Sequence, residues 1–391
     1  MKVLYILNAT TVYGGATKSF MPLLEGMKEN GVEVCVVVPD SAGIYDVLNK
    51  KGIETYVVKM KHNVYPYKVG IKGHLLYIPR IIGRLLVNWL AVRKLKKIFI
   101  DKNIDIIHTN VSVLDVGYRL SRFLGVSHIY HFREYADLDF GMYYFPSKKY
   151  LYKELKAEHS YALCITKGVM NHHHLNDFKN VRMIYDPVLP SVSTKPTQAV
   201  NHFFLYAGRI EETKGLLDLL EAYAVYVKET EKPMPLHVAG EKNDEKYWRQ
   251  IQNFVDEHRL TQSVVFLGQV KDIEKLMGTA WAIVIPSRFE GFGRCMPEAM
   301  FNGCLVIGKD CAGTKEQFDN GLNYCGQEIG FRYQTQEKLV EILKYVSQMT
   351  VDERAKITDE AFETVVNTLS TDISVGKVLN FYNEILNDTV Y

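Results

Sequence analysis

The chain has 391 residues, 47% of them hydrophobic and 24% charged, a composition typical of a water-soluble globular protein with two or three domains. A formal net charge of only +2 excludes the strongly basic surface of a general nucleic-acid binder. The six cysteines form no CxxC pair, and the first apolar run is too short for a signal peptide. We therefore expect free, buried thiols, a cytoplasmic protein and no nucleic-acid partner.

The amino-terminal half alternates predicted strands with helical stretches. Such alternation is typical of a mainly parallel, doubly wound sheet that is covered by helices on both faces. Ligands of these sheets collect beyond the carboxyl ends of the strands, which selects residues 108–110, 131–133 and 166–167 as cleft candidates. After the first strand, the predicted strands are residues 32–39, 54–58, 104–110, 126–132, 161–166 and 181–185.

Two features of this half have both a structural and a functional interpretation. Gly14 and Gly15 lie between the first strand and a helix, where an ordinary tight turn is the structural interpretation and the functional one depends on the family resemblance given below. No GxGxxG follows the strand, which argues against a dehydrogenase. His131 follows a later strand and is either a structural hydrogen-bonding residue or a cleft residue.

Two patterns of potential metal ligands also occur in this half. Asp137 and Asp139 form an Asp-x-Asp pair of the kind that holds a divalent metal against a diphosphate. The pair lies in a loop rich in Tyr and Phe, which favours the interpretation that its match to the metal-binding pattern is a coincidence. The three consecutive histidines 172–174 point in different directions on a helix, so we predict a solvated face. We expect no metal site.

Residues 75–100 are both apolar and basic, without an uncharged run long enough to cross a bilayer. A helix here places Ile82, Leu85, Leu86 and Trp89 on one stripe. The basic residues fall on another stripe. The segment is either a core-packing helix with a solvated basic face or a peripheral contact with an anionic membrane. The basic residues are Arg80, Arg84, Lys94 and Lys97.

Proline, serine and threonine dominate residues 186–201, and the strand and helix order then starts again. We therefore predict a domain boundary after residue 186. In the second half, residues 236–241 and 264–270 are further predicted strands, each with a glycine near its end.

The stretch from Trp281 to Met300 reads as strand, glycine turn and helix, with Pro297 opening the helix. Such a junction directs backbone N–H groups at an anion above the strand. Glu290 and Glu298 bracket the turn and are suited to accept hydrogen bonds from sugar hydroxyls. The alternative is that Glu298 complements the helix dipole and Glu290 is a solvated loop charge.

The motif of Glu290, seven residues and Glu298, with EGFG at its start and PEAM at its end, resembles the signature of the retaining glycosyltransferases of family 4. These belong to the glycosyl transferases group 1. The resemblance implies the α/β GT-B fold, with two Rossmann-like, doubly wound parallel-sheet domains that face a central cleft. It implies an acceptor-side domain of residues 1–186, a nucleotide-sugar domain of residues 187–372 and a helix of residues 373–391 packed back on the first domain.

The resemblance also assigns roles within the motif and before it. Arg209 and Lys214 match the pair that grips the donor diphosphate, whereas a surface pair balanced by neighbouring glutamates is the alternative. Glu290, with the amides of residues 291–293, would orient the sugar, and Glu298 would bind the ribose. The other implied residues are His131, near the donor sugar or acceptor, and the donor-binding Gly14, Gly15, Gly208, Gln269, Val270, Gly291, Phe292, Gly293, Gly313 and Glu316.

The expected activity is transfer of a sugar, with retention, from a nucleotide diphosphate sugar to a hydroxyl of a saccharide or lipid-linked saccharide. We expect it to need no metal or cofactor and to serve cell-surface polysaccharide or glycolipid synthesis. Alternatives are a nucleotide-sugar epimerase or phosphorylase on this fold, or a non-catalytic nucleotide-sugar-binding protein. The sequence leaves the donor base and sugar, the acceptor and the oligomeric state open. It departs from the common family pattern at Arg294 and Leu305.

Overall fold

The computed structural model describes residues 1–12, 14–66, 76–190, 195–196 and 199–388. Parts of the predicted linker, residues 191–194 and 197–198, lie outside these described residues, as does residue 75.

The chain divides into two compact units, Met1–Pro187 with Thr371–Tyr391, and Val188–Ser370. The boundary between the units lies after Pro187, one residue later than predicted. The last helix, which returns to the first unit, begins at Thr371, two residues before its predicted start.

The first unit contains a parallel sheet made of short, apolar and β-branched runs. Seven strands of its described residues pair in the order β3-β2-β1-β5-β6-β8-β9, and β4 pairs antiparallel with β7. The residues of the central strands are buried on both faces, as in a sheet covered on both sides. The strands are β1 (Lys2–Ile6), β2 (Glu33–Val38), β3 (Glu54–Val57), β4 (Val64–Pro66), β5 (Ile106–Thr109), β6 (Ser127–Phe132), β7 (Met142–Tyr144), β8 (Ser160–Cys164) and β9 (Val181–Met183).

Helices connect the strands of this unit. The first helix buries Phe20, Leu23, Leu24 and Met27, which recur at the three- and four-residue spacing of one helix face. The helices are α1 (Gly15–Glu29), α2 (Ile44–Lys50), α3 (Tyr77–Phe99), α4 (Val116–Leu124), α5 (Asp137–Phe140), α6 (Lys148–Leu155) and α7 (Lys167–His172).

The second unit repeats this architecture with a parallel sheet of six strands in the described residues. Their order is β12-β11-β10-β13-β14-β15, so the chain winds first to one side of β10 and then to the other. The strands are β10 (Asn201–Ala207), β11 (Leu236–Ala239), β12 (Val264–Gly268), β13 (Ala280–Ile285), β14 (Leu305–Lys309) and β15 (Phe331–Tyr333).

The helices of the second unit are followed by one helix that returns to the first unit. This returning helix, α15, packs against α1 so closely that a Cβ added at Gly26 would lie 2.5 Å from Val375. A short 3₁₀ turn, Glu212–Lys214, precedes the first helix of the second unit. The helices are α8 (Leu216–Glu229), α9 (Glu245–Glu257), α10 (Ile273–Thr279), α11 (Cys295–Phe301), α12 (Ala312–Cys325), α13 (Gln336–Gln348), α14 (Val351–Leu369) and α15 (Thr371–Asp388).

Helix α3 has two apolar stripes, and only one of them packs inside the unit. The packed face consists of Asn88, Ala91, Val92, Leu95 and Phe99. The other stripe is exposed, so the core-packing interpretation of Ile82, Leu86 and Trp89 is wrong, while Leu85 is half-buried. Among the described residues, each helix is either too short or too polar to span a lipid bilayer. The exposed fractions are Ile78 66%, Ile82 60%, Leu86 54%, Trp89 47% and Leu90 52%.

Candidate functional site

The second sheet has a topological switch point between β10 and β13, which are hydrogen-bonded neighbours. In open α/β sheets, the crevice beyond the carboxyl ends of strands at such a point is the usual ligand site. The loop after β10 carries Arg209 and Lys214, and the loop after β13 carries Glu290. Parallel pairing therefore brings the predicted cations and the first predicted carboxylate to one edge of the sheet.

Lys214 and Glu290 are in direct contact at this edge. The Lys214 Nζ lies 2.6 Å from the Glu290 Oε1, and the two side chains are 18% and 24% exposed. The backbone N–H of Arg288 donates to the carbonyl of Thr213 at 3.2 Å, which ties the two loops together. Arg209, by contrast, is half-exposed and pairs with Glu211 at 3.0 Å. Both cations that were predicted to bind the diphosphate are thus paired with carboxylates in this structure.

The second predicted carboxylate, Glu298, is held by Arg294, the residue directly before its helix. The Nε and NH2 groups of Arg294 donate to the Glu298 Oε1 at 3.2 and 2.9 Å. The helix begins at Cys295, so the prediction that Pro297 opens it is wrong by two residues. Pro297 is tolerated as the third helical residue because the first turn leaves its N–H groups without partners inside the helix.

Gly313 positions the glycine loop. Its N–H donates to the carbonyl of Glu290 at 2.9 Å. A Cβ at this position would lie 2.6 Å from the carbonyl oxygen of Phe292, so only glycine allows the close approach. The contact fixes the backbone of residues 291–293 against the start of α12. Glu316, one turn further along that helix, is buried.

The carboxyl ends of β10, β11 and β12 are joined by backbone hydrogen bonds. The Gly208 N–H donates to the Ala239 carbonyl at 3.0 Å, and the Gly240 N–H donates to the Gly268 carbonyl at 2.8 Å. A Cβ on Gly240 would approach the Gly208 carbonyl oxygen to 1.8 Å. The sequence analysis noted Gly240 as the glycine near the end of the predicted strand 236–241 but did not include it among the site residues. The predicted base-binding pair, residues 269–270, follows β12 at this same edge.

The three site residues predicted in the amino-terminal half belong to the first unit. Gly14 caps α1 and its carbonyl accepts from the N–H of Lys18 at 2.9 Å, and Gly15 is the first helical residue. His131 is buried near the end of β6. These residues lie at the carboxyl edge of the first sheet.

A chain of hydrogen bonds determines the tautomer of His131. The Arg133 NH2 group donates to the His131 Nδ1 at 3.2 Å, and the His108 Nε2 lies 3.1 Å from that same atom. Since Nδ1 accepts from arginine, it is unprotonated, and His108 must donate to it through Nε2. The His108 Nδ1 then accepts from the Tyr382 hydroxyl of α15, which contacts the Tyr5 hydroxyl.

This arrangement leaves the His131 Nε2 as a protonated donor. It lies 3.6 Å from the Asp186 Oδ1, and neither atom has a hydrogen-bond partner among the described residues. Arg133 also pairs with the other Asp186 oxygen. Burial and the Arg133 charge lower the pKa of both His108 and His131 well below the usual range, so both rings are neutral. The sequence prediction did not include Asp186 among the site residues and took it as the last residue of the first domain.

The Asp-x-Asp pair has local partners. Asp137 Oδ1 lies 2.6 Å from the His172 Nε2, and Asp139 accepts from the backbone N–H of Tyr135 at 2.9 Å. The prediction of a solvated histidine face is wrong for His173, which is fully buried and bonded to the Glu134 carbonyl. Within the described ranges, no three His, Cys, Asp or Glu side chains form a group that could hold a metal ion.

The cysteines are all free thiols, but only half of them are buried. The expectation of buried thiols is correct for Cys35, Cys164 and Cys304. It is wrong for the other three, which are half-buried near turns and helix ends. These are Cys295, Cys311 and Cys325.

We predict that Glu154 makes the folded protein less stable as the pH rises. Burial, with a contribution from Asp115, raises the pKa of Glu154 from 4.5 to about 7, although the Tyr130 hydroxyl donates to it. The folded state therefore holds a proton that the unfolded state releases between these values. The free energy of unfolding should fall by about 3 kcal/mol across that window, at 1.36 kcal/mol per pKa unit. Glu154→Gln keeps a hydrogen-bond acceptor and should flatten this part of the curve.

Chemical denaturation of both proteins from pH 4 to pH 8 measures this difference. The control is Glu158→Gln, at an exposed glutamate four positions further along the chain. It should leave the pH dependence of the wild type unchanged. An unchanged slope in Glu154→Gln would contradict the assignment.

The comparisons with known proteins agree with this geometry. Over 98% of the chain, the fold matches HepE of Anabaena in complex with UDP, with a TM-score of 0.78 and 17% identity over the whole of that structure. A Staphylococcus aureus TarM mutant in complex with UDP, fondaparinux and α-GlcNAc-glycerol matches 98% of the chain and all of that structure, with a TM-score of 0.71 and 17% identity. The chain therefore has the GT-B fold of two Rossmann-like domains.

The family follows from sequence comparison. Residues 195–364 match the model of the glycosyl transferases group 1, so the second unit is a domain of that family and the chain is a glycosyltransferase. A capsular polysaccharide biosynthesis glycosyltransferase, CapH of Staphylococcus aureus, is 23% identical over 81% of this chain and 83% of its own length. The resemblance that the sequence indicated is confirmed at the level of group 1.

Proposed function

We propose that the protein transfers a sugar, with retention and without a metal ion, from a UDP-sugar to a hydroxyl of a saccharide or lipid-linked saccharide. The observation that carries this proposal is the Lys214–Glu290 pair at the switch point of the second sheet. A cation and a carboxylate in contact beside a glycine loop offer one group for a phosphate and one for a sugar hydroxyl.

Donor binding would exchange the partners of the resting ion pairs. Lys214 and Arg209 would leave Glu290 and Glu211 for the diphosphate, which carries more negative charge than one carboxylate. Glu290 would then accept from the transferred sugar, together with the amides of residues 291–293. Fixed cations stabilise the charge that grows on the departing diphosphate.

Arg294 already occupies one oxygen of Glu298, which leaves Oε2 of that carboxylate to accept from the ribose hydroxyls. The resting pair therefore orients Glu298 before the donor arrives. Gln269 and Val270 would contact the base through their backbone groups, while Gly313 and Glu316 would complete the sugar pocket.

Retention follows from the chemistry that these residues permit. The bond between the anomeric carbon and the diphosphate oxygen breaks, and the acceptor oxygen forms its bond on the same face. The acceptor proton passes to an oxygen of the departing diphosphate. The neutral His131 would act toward the sugar or the acceptor as a hydrogen-bond donor through Nε2, since its Nδ1 accepts from Arg133.

UDP as the nucleotide, and a role in cell-surface polysaccharide or glycolipid synthesis, are supported by the similar proteins. HepE and TarM were solved with UDP, and CapH is a capsular polysaccharide biosynthesis enzyme. We further propose that the protein works in the cytoplasm at the inner face of the membrane. The exposed stripe of α3 would contact anionic lipid there, with Arg80, Lys94 and Lys97 close to the headgroups.

A thermal-shift comparison tests the donor site. A ligand that binds only the native state stabilises it by about 2.7 kcal/mol when its concentration is 100 times its Kd. We expect UDP and UDP-glucose to raise the melting temperature by several degrees, GDP to have a smaller effect, and excess EDTA to change none of these shifts. No shift with any nucleotide would reject the proposal, and a shift lost in EDTA would reject metal independence.

A further inference from the structure

The first unit has a cavity of about 500 Å³ at the carboxyl ends of β1, β2 and β3. It lies between the loops that follow these strands and one turn of helix α3. The donor-site residues proposed above on the second unit do not line it. Its polar lining residues include Asn8, Thr10, Asp40, Lys61, His62 and Arg84.

Helix α3 holds the cationic wall of this cavity in place. The Asn88 side chain accepts from the Lys61 N–H and donates to the Lys61 carbonyl, each at 2.8 Å. The Arg84 NH1 group donates to the carbonyls of His62 and Val64 at 3.2 and 2.6 Å. These contacts fix the backbone of the loop, so that Lys61 and Arg84 line the cavity from adjacent elements.

The charge on the lining is predominantly positive. Burial, with a contribution from the Arg84 charge, lowers the pKa of His62 although its Nε2 faces the Asn8 carbonyl at 3.3 Å, so the ring contributes no charge. Asp40 is the one carboxylate among the residues that line the described cavity. Its Oδ1 accepts from the Thr10 hydroxyl at 2.7 Å and from the backbone N–H of Ala42 at 3.0 Å. The lining therefore carries two cations and one carboxylate, and two donors already orient that carboxylate.

We propose that this cavity binds a phosphate-bearing saccharide as the acceptor. Lys61 and Arg84 would bind the phosphate through charge-assisted hydrogen bonds, and Asp40 would accept from a sugar hydroxyl through Oδ2. This inference rests on the proposed glycosyl transfer, and it names the chemical class of its acceptor. The same helix supplies Arg84 to the cavity and an exposed apolar stripe to solvent, which suits a sugar phosphate attached to a lipid.

Binding of glucose 1-phosphate, with glucose as the uncharged control, tests the proposal by isothermal titration or ligand-observed NMR. Saturating UDP is present so that the donor site cannot take the phosphate. We expect glucose 1-phosphate to bind more tightly than glucose, and Lys61→Gln to weaken it about tenfold, the loss of one charged hydrogen bond. Lys59→Gln, an exposed lysine that does not line the cavity, is the matched control and should bind as the wild type does.

Equal binding by Lys61→Gln and Lys59→Gln, or no preference for the phosphate in the wild type, would overturn the inference. A protein that binds UDP but shows this result would keep its proposed donor site and lose only the acceptor class. A protein that shows no response to UDP would instead fail the proposed function. The comparison of Lys61→Gln with Lys59→Gln would then still decide whether the cavity binds a sugar phosphate.

A second pair of probes distinguishes a lipid-linked acceptor from a free one. The methyl and geranyl phosphodiesters of glucose carry the same charge and differ only in the chain. Tighter binding of the geranyl compound, lost in Ile82→Ser with Leu86→Ser, would identify a lipid-linked source. Equal binding of both compounds, still dependent on Lys61, would identify a free sugar phosphate.

Discussion

Lys214→Ala is expected to lower kcat/KM for the UDP-sugar by about 10²- to 10³-fold, the usual effect of removing one preorganised group that stabilises transition-state charge. Lys214 is the more enclosed of the two predicted cations and already lies beside the predicted sugar-binding carboxylate. Initial rates of UDP release at varied donor concentration measure the change.

The variant should stay folded, because a partly exposed ion pair contributes about 0–1 kcal/mol to stability. Lys228→Ala removes the same side chain from an exposed position on α8 and should leave both the rate and the melting temperature unchanged. Near-normal turnover by Lys214→Ala would remove this residue from the leaving-group role. A matched loss in Lys228→Ala would point to a general effect of charge.

Ile82→Ser combined with Leu86→Ser is expected to reduce binding to vesicles of mixed phosphatidylglycerol and phosphatidylcholine by at least about tenfold. Both side chains are more than half exposed on the stripe of α3 that makes no core contact. Burying a large aliphatic side chain contributes about 1.5–3 kcal/mol, and a loss of 1.4 kcal/mol corresponds to a factor of ten. Vesicle sedimentation at low and high salt measures the apolar and the electrostatic contributions.

The control removes two exposed apolar side chains from the other unit, Tyr345→Ser with Val351→Ser, which are 55% and 67% exposed. It should bind vesicles as the wild type does. If the wild-type protein does not sediment with anionic vesicles, or if both double variants lose binding equally, α3 is not a membrane contact.

Helix α3 also shows that the helical spacing of apolar residues predicts a stripe but not which stripe packs in the core. Its sequence has apolar residues on both sides, so the helical period correctly indicated a stripe through Ile82, Leu86 and Trp89. It could not indicate which stripe packs, since this depends on a second element. Asn88 reaches the Lys61 backbone from the packed face, and that contact is not encoded within one helix.

His173 was mispredicted for a related reason. The segment of three histidines is polar, which favours a solvated position on average. The side chain nevertheless packs edge-on against Phe132 at 4.9 Å between ring centres. Burial lowers its pKa to about 3, so the ring enters the core in its neutral form.

Local sequence was sufficient for the strands of the first parallel sheet, for β10 to β13 and for the glycine turn before α11, because strand patterning and turns depend on neighbours a few positions away. It also predicted Lys214 and Glu290 as partners of one ligand, through a resemblance that the family match confirmed at the level of group 1.

Only the tertiary structure decided which cation meets which carboxylate. Lys214 pairs with Glu290, 76 positions away, because β10 and β13 are neighbours in the sheet. Arg133 pairs with Asp186 because both follow strands that end at the same edge of the first sheet. Such contacts depend on strand order, which is set by packing of the whole core and not by the residues on either side of a charge.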